Sequence, residues 1–233
     1  DDSDIRKKLA SSLALLEVLY GLVDDLDSWH VVDLCCGKSL TAALIALQHH
    51  EVAITAVDRR SAKKVPHYAE VGLSSVHYTQ MDVLADDFVE RLAEVVVSKG
   101  RPTVILGIHL CGRLSERAIE AFSAIPLASV CLLMPCCLPN KSAAPHELMP
   151  VYKTDDAPRG HNDFDAHHSE QYQAWSEYLV SCLRTDAQTE VDWFQAKETL
   201  SLKCNVLAAS KRESVGCVNP LLEVCRPLRF PTD

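Results

Sequence analysis

The apolar positions along this chain change period several times, and each change marks an element. Over residues 4–26, Leu9, Leu13, Leu16, Leu19 and Tyr20 recur at three- and four-residue spacing and lead into Asp24, Asp25 and Asp27. That spacing predicts an amphipathic helix ending before Trp29. Short apolar runs then alternate with helix-length segments. Strands are predicted over 30–35, 52–57, 75–79, 103–109 and 128–134, and helices over 39–49, about 61–71, 86–98 and 115–123. Strands alternating with helices imply a parallel sheet covered on both faces, with right-handed crossovers.

The rhythm breaks at 138–167, where Pro139, Pro145, Pro150 and Pro158 accompany the polar run TDDAPRGHNDFDAHH. This insertion is too long for an ordinary connection and is expected to be a lid over a ligand site or a partner contact. A helix is predicted at 168–184. Two strands, 191–197 and 202–210, separated by a short turn, predict a terminal antiparallel hairpin that closes the sheet. The fold class expected is therefore α/β, a doubly wound, mostly parallel seven-stranded sheet. The tail 215–233, with Pro220, Pro227 and Pro231, reads as extended chain draped over the body. One domain is expected over residues 1–233, because that length buries a single core.

Composition narrows the partners. A formal charge of −9 disfavours a broad nucleic-acid surface, which needs clustered Lys and Arg. A local basic rim is left open at Arg59, Arg60, Lys63 and Lys64 and at Lys211, Arg212, Arg226 and Arg229, with scattered surface solvation the plainer reading. The apolar runs fall short of the ~20 residues that span a bilayer, so no membrane segment is expected. Residue 1 is Asp rather than Met, which reads as a processed or trimmed end and leaves targeting undefined. Ten cysteines sit mostly inside apolar runs, as Cys131 and Cys204 do, and so read as thiols in an intracellular, reducing compartment; cytoplasm, nucleus and organelle are not separated.

The candidate chemistry lies at the strand ends. In a doubly wound sheet a ligand binds beyond the carboxyl ends of the strands, where the first strand–helix turn offers backbone N–H groups. The stretch DLCCGKS, with Asp33, Cys35, Gly37, Lys38 and Ser39, occupies that turn. Asp58 follows the second strand, next to Arg59, and is placed for the two hydroxyls of a ribose. Asp82 follows the third strand and is placed for an adenine amino group, with Met81 and Val83 for apolar contact with the ring. Three acidic residues at successive strand ends repel a polyphosphate, which favours an adenosine without phosphates over a nicotinamide dinucleotide. Cys35 and Ser39 stand where glycine is usual, and small side chains fit there if size is the constraint, less readily if a positive φ is required.

Together, DLCCGKS, AVD, MDV and ILGIHLCG resemble the class I S-adenosylmethionine-dependent methyltransferases, and specifically their HLCG-bearing branch. That branch includes a tRNA 2′-O-methyltransferase, and its members often carry a Cys-Cys pair after the fifth strand, as MPCCLP does at 134–139. The resemblance spans about residues 29–140, and SLKCNVLAASK fits the last two strands of a Rossmann-like methyltransferase fold. It implies S-adenosylmethionine as cofactor. Asp33 would orient the loop or meet the methionine amino group, Gly37 would admit the cofactor to the backbone, Asp58 would hold the ribose, Asp82 the adenine, and His109 and Leu110 would line the methyl side. The acceptor implied is RNA first and protein second. The alternative is a catalytically inactive, methyltransferase-like subunit that serves as a binding module in a larger assembly, in which ribonucleoprotein is one possibility.

Cys35 and Cys36, His109 and Cys111, and Cys136 and Cys137 follow strands one, four and five, so five thiols and one imidazole are expected at one sheet edge. Zinc could use four of them. Adjacent cysteines are nevertheless expected to point apart and there is no CxxC, so packing is the reading and no metal is assigned. The catalytic candidates are His109, as general base, and Cys136. Methyl transfer from a sulfonium rests largely on positioning, which makes a dedicated base optional. His161, His167 and His168 with Asp163 and Asp165 read as a solvated lid, and Trp175 and Tyr178 as core contacts.

Overall fold

The β-branched runs form the strands and the Ala- and Leu-rich runs the helices in a computed structural model that describes residues 2–38, 40–61, 72–139, 145, 148, 166–184, 188–196 and 205–211. The elements are α1 (Asp2–Leu22), a 3₁₀ turn (Leu26–Ser28), β1 (His30–Leu34), α2 (Leu40–Gln48), β2 (Ala53–Asp58), β3 (Val76–Gln80), α3 (Phe88–Lys99), β4 (Thr103–Ile108), α4 (Arg113–Ala124), β5 (Ala128–Met134), α5 (Ala166–Leu183), β6 (Thr189–Gln195) and β7 (Asn205–Lys211). The sheet runs in the order β3-β2-β1-β4-β5-β7-β6. Its first five strands are parallel, and β7 is antiparallel to both β5 and β6. The expected seven-stranded α/β sheet with a terminal antiparallel pair is therefore present. The order reverses between β1 and β4, and a crevice opens at such a reversal, beyond the carboxyl ends of the strands.

Side chains alternate across each strand, so neighbouring residues feed different cores. Val31, Ile54, Val104 and Leu132 meet Leu15, Leu19, Leu22 and Ile45 of α1 and α2. Val32, Val57, Ile105 and Leu133 meet Phe88, Leu92, Phe122 and Trp175 of α3, α4 and α5. With both faces covered, the strands read as continuous apolar runs. No helix among the described residues is long and apolar enough to cross a membrane.

The structure corrects the N-terminal helix. It ends at Leu22 rather than 26, and the 3₁₀ turn occupies the acidic segment. Leu9 and Leu13 are exposed, whereas Leu15, Leu16, Leu19 and Leu22 are buried together with Ser11 and Ser12. The buried stripe is rotated toward α2, where the Ser12 and Thr41 hydroxyls are 2.9 Å apart. The first and fourth strands each stop one residue early, at Leu34 and Ile108, because Cys35 (φ 54°) and His109 (φ 60°) take the backbone into the left-handed region. Trp175 and Tyr178 are core contacts as expected: Trp175 is fully buried and stacks on the Tyr178 ring at 5.4 Å.

The predicted helix at 61–71 lies outside the described residues apart from Ser61, as do most of the insertion and all of the tail beyond Lys211. Within the insertion, Leu148 is buried against the core on the α5 side, so this part of the expected lid is core.

Candidate functional site

Asp58, the last residue of β2, is held by four donors. The Arg60 backbone N–H and Nε donate to Oδ1, each at 3.0 Å. Arg60 Nη2 donates to Oδ2 at 3.1 Å and the Gly37 N–H at 2.9 Å. A carboxylate offers about four lone-pair directions, and all of them are in use. Burial pushes the Asp58 carboxyl up, but the bonds from Arg60 and Gly37 outweigh it and hold the group below its ordinary value. Arg60 is raised in turn, first by its hydrogen bond to Asp58. Gly37 has φ 61°, which glycine adopts without strain, and a Cβ there would lie 3.3 Å from Arg60 Nη2, so a larger residue would be strained and would push on the guanidinium. Tyr78 fixes this corner by donating its hydroxyl to the Arg60 carbonyl at 2.7 Å.

The loop after β1 carries Cys35 at positive φ, the conformation a non-glycine residue adopts at about 1–2 kcal/mol. So it is the backbone, and not size alone, that this loop constrains, and Cys35 carries the strain. The Cys36 N–H donates to the Val57 carbonyl at 3.0 Å, which pins the loop to the end of β2. Burial, followed by the charges of Asp58, Asp33 and Asp82, pushes the Cys35 thiol up to about 12. The three acidic residues expected at one edge thus act on a common point.

After β4, the HLCG turn is shaped by sterics. A Cβ on Gly107 would lie 2.5 Å from Leu110 Cδ1, because the fully buried Leu110 side chain folds back over that glycine. What Leu110 can offer a ligand is its main chain. His109 is exposed, and its N–H donates to the Met134 carbonyl at 2.9 Å. The Gly112 N–H donates to the Cys137 carbonyl at 3.3 Å, and Gly112 (φ 53°) faces Pro139, whose Cα would be 3.3 Å from an added Cβ. The turns after β4 and β5 are therefore pressed together.

Between them lie three sulfurs. Cys136 Sγ is 3.2 Å from Cys111 Sγ and 3.4 Å from Cys137 Sγ, and all three fall within 4.8 Å of one another. The expectation that Cys136 and Cys137 point apart is corrected: that alternation belongs to extended strands, and the chain has left β5 at Met134. The Cys136 thiol is pushed well up, first by its contact with Cys111 and then by burial, which is the opposite of an activated nucleophile.

The remaining candidates are spread around this edge. Asp33 is buried within β1, and Lys38 and Arg59 are exposed. The exposed Asp82 accepts the Leu84 N–H at 3.0 Å, and the buried Val83 accepts Arg117 Nε on its carbonyl at 3.2 Å. Ser39 lies outside the described residues. Arg60 was legible only as a basic rim residue, although an arginine two places after a strand-end acid can fold back on it. Tyr172, whose hydroxyl donates to the Pro135 carbonyl at 2.6 Å and braces the turn after β5, carried no sequence signal.

Comparison with known proteins bears on this geometry. A family model described as a methyltransferase domain matches residues 7–142. No curated protein sequence matches the chain. Among solved structures, it is similar to an rRNA methylase from Streptococcus thermophilus at 13% identity and a TM-score of 0.50, covering 85% of this chain and 94% of that one. It is also similar to a candidate caffeoyl-CoA O-methyltransferase from Staphylococcus aureus at 11% identity and a TM-score of 0.51, covering 85% and 82%. At such identities these likenesses establish the fold.

Proposed function

Because the chain belongs to the methyltransferase-domain family, we propose that it binds S-adenosylmethionine beyond β1 and β4 and transfers the methyl group to an acceptor, with RNA the first class and protein the second. The observation that carries this reading is the clamp on Asp58. Two of its four bonds come from the Arg60 side chain, which is 40% exposed, and two come from backbone N–H groups, one on each carboxylate oxygen. If the guanidinium turns away, each oxygen keeps one backbone donor and regains one free acceptor direction. That matches a pair of neighbouring ribose hydroxyls, so the residues fit the cofactor.

In this reading Asp33, Cys35, Gly37, Lys38 and Ser39 form the loop facing the methionine portion, with Arg59 at its rim. Asp82 and Val83 bound the adenine side, and His109 with the Leu110 main chain bounds the methyl side. When bound, S-adenosylmethionine supplies a methyl group on a sulfonium, an electrophile that asks mainly for alignment. The exposed His109 imidazole can accept the proton of a hydroxyl or amine acceptor. Cys136 packs against the Cys111 and Cys137 thiols, and that contact with burial pushes its own thiol up, so His109 is the preferred base in this reading. An RNA acceptor is supported by the HLCG resemblance and by exposed Lys38 and Arg59, which offer local positive charge on an acidic chain.

The saturation of Asp58 favours one second reading, a binding subunit that no longer takes the cofactor. Titration calorimetry with S-adenosylmethionine and its demethylated product separates the two. The enzyme reading expects binding that weakens in Asp58→Ala by about 1.5–3 kcal/mol, roughly 10- to 150-fold. Absence of binding by the folded wild-type chain supports the subunit. Transfer of labelled methyl to RNA or to protein fractions then identifies the acceptor.

A further inference from the structure

Three thiols from two separate turns meet at one point. Two separations of 3.2 and 3.4 Å and a third no longer than 4.8 Å put the sulfurs on a circle with a radius of at most about 2.4 Å. A zinc–thiolate bond is ~2.3 Å, so one ion can reach all three with little movement. We propose that Cys111, Cys136 and Cys137 bind one Zn²⁺ ion, which staples the turn after β4 to the turn after β5.

The surrounding backbone is built to hold this arrangement. The Gly112 N–H to Cys137 carbonyl bond, the His109 N–H to Met134 carbonyl bond and the close approach of Gly112 to Pro139 fix the two turns against each other. The Tyr172 hydroxyl fixes the Pro135 carbonyl immediately before the Cys-Cys pair. None of these contacts uses a sulfur, so the cluster is pre-organised independently of what it binds. The sulfurs lie within thiol hydrogen-bond distance, and the Cys111 thiol also donates to the His109 carbonyl at 3.4 Å, yet Cys111 is exposed, where apolar packing gives a compact thiol little to bury. The exposed side leaves a fourth position for water, giving three protein ligands and one open site. Binding is balanced as three thiols plus Zn²⁺ giving a zinc tris-thiolate and three protons released to solvent, so affinity falls as pH falls.

The test uses the full chain, purified under reducing conditions. Zinc analysis is expected to give one equivalent. Titration of metal-free protein with Co²⁺ is expected to produce the visible and thiolate-to-metal bands of tetrahedral cobalt, which Zn²⁺ then abolishes. Cys136→Ser and, separately, Cys111→Ser should weaken binding by roughly 100-fold or more, above the 10- to 100-fold typical of a lost outer-shell partner. Cys182→Ser, on α5, should leave it unchanged. Zinc should also raise the melting temperature of wild type and not of Cys136→Ser. The proposal is overturned if the reduced chain shows no tetrahedral cobalt spectrum, or if binding survives both substitutions. It is equally overturned if peptide mapping of unreduced protein finds Cys111 joined to Cys136 and the reduced form still takes up no metal, which would identify a disulfide in place of the metal site. None of these readouts depends on S-adenosylmethionine, so failure here is distinct from failure of the methyltransferase reading.

Discussion

Arg60 stands between Asp58 and any ligand that Asp58 is to hold. A strand-end aspartate was legible in the sequence because an acid follows the apolar run AITAV; its partner was not, because a tandem Arg59-Arg60 reads as solvated charge and only the backbone turn decides which arginine folds back. Arg60 is 40% exposed but Asp58 is only 11% exposed and the pair is bidentate, so opening it should require about 1 kcal/mol, the top of the range for exposed pairs. Arg60→Ala is therefore expected to tighten S-adenosylmethionine binding up to about fivefold, whereas Asp58→Ala weakens it. Calorimetry on both variants decides the role. If Arg60→Ala weakens binding as strongly as Asp58→Ala, the guanidinium orients the carboxylate and does not compete for it.

The elements show where hydrophobic patterning stops being informative. The first and fourth strands were each read one residue too long, at Cys35 and His109, because both residues continue an apolar run while the backbone turns to positive φ. Cys35 is not among the residues that announce that conformation, and His109, though of a type enriched there, sits between Ile108 and Leu110 in a run that reads as strand. The fourth turn also depends on a contact with no pattern of its own, the packing of Leu110 over Gly107. Adding a methyl there puts it 2.5 Å from Leu110 Cδ1, so Gly107→Ala should destabilise the fold by about 1–3 kcal/mol, the range for overpacking. Leu110→Ala opens the space and should remove most of that penalty in the double variant. Denaturant midpoints of the four proteins form a cycle. Additive effects would mean that the strain arises from something other than this contact.

At the scale of the molecule, the sheet and its closing hairpin were legible because strand-length and helix-length runs alternate without ambiguity. Which side of α1 is buried was not, since leucines occur on two of its faces and its packing against the sheet and α2 selects one. The role of His30 was equally hidden. It reads as the first residue of a strand, yet it is fully buried, with Nε2 2.8 Å from Thr55 Oγ1 on β2 and Nδ1 3.3 Å from Thr103 Oγ1 on β4, so one imidazole joins three adjacent strands, β2, β1 and β4. Burial first, and then the charges of Lys99 and Arg101, push it down to about 4. In the unfolded chain the same ring takes its proton near ~6.5. The unfolded state therefore binds more protons between those values, and stability that is full above about pH 6.5 is lost as pH falls toward 4, by at most about 3 kcal/mol. The depressed Asp58 carboxyl acts in a lower window: its contribution is present above the ordinary carboxylate value of ~3.9 and is lost as pH falls below it. Denaturant unfolding at about pH 7, 5.5 and 4.5 should show wild type weakening, and His30→Gln, which can still hydrogen-bond the two threonines, should flatten that dependence. Arg60→Ala should leave the slope in this window unchanged, lowering stability by the same amount at all three pH values, and its difference from wild type should shrink only in more acid solution. An undiminished slope in His30→Gln would assign the acid sensitivity to other groups and leave His30 a neutral strut at every pH tested.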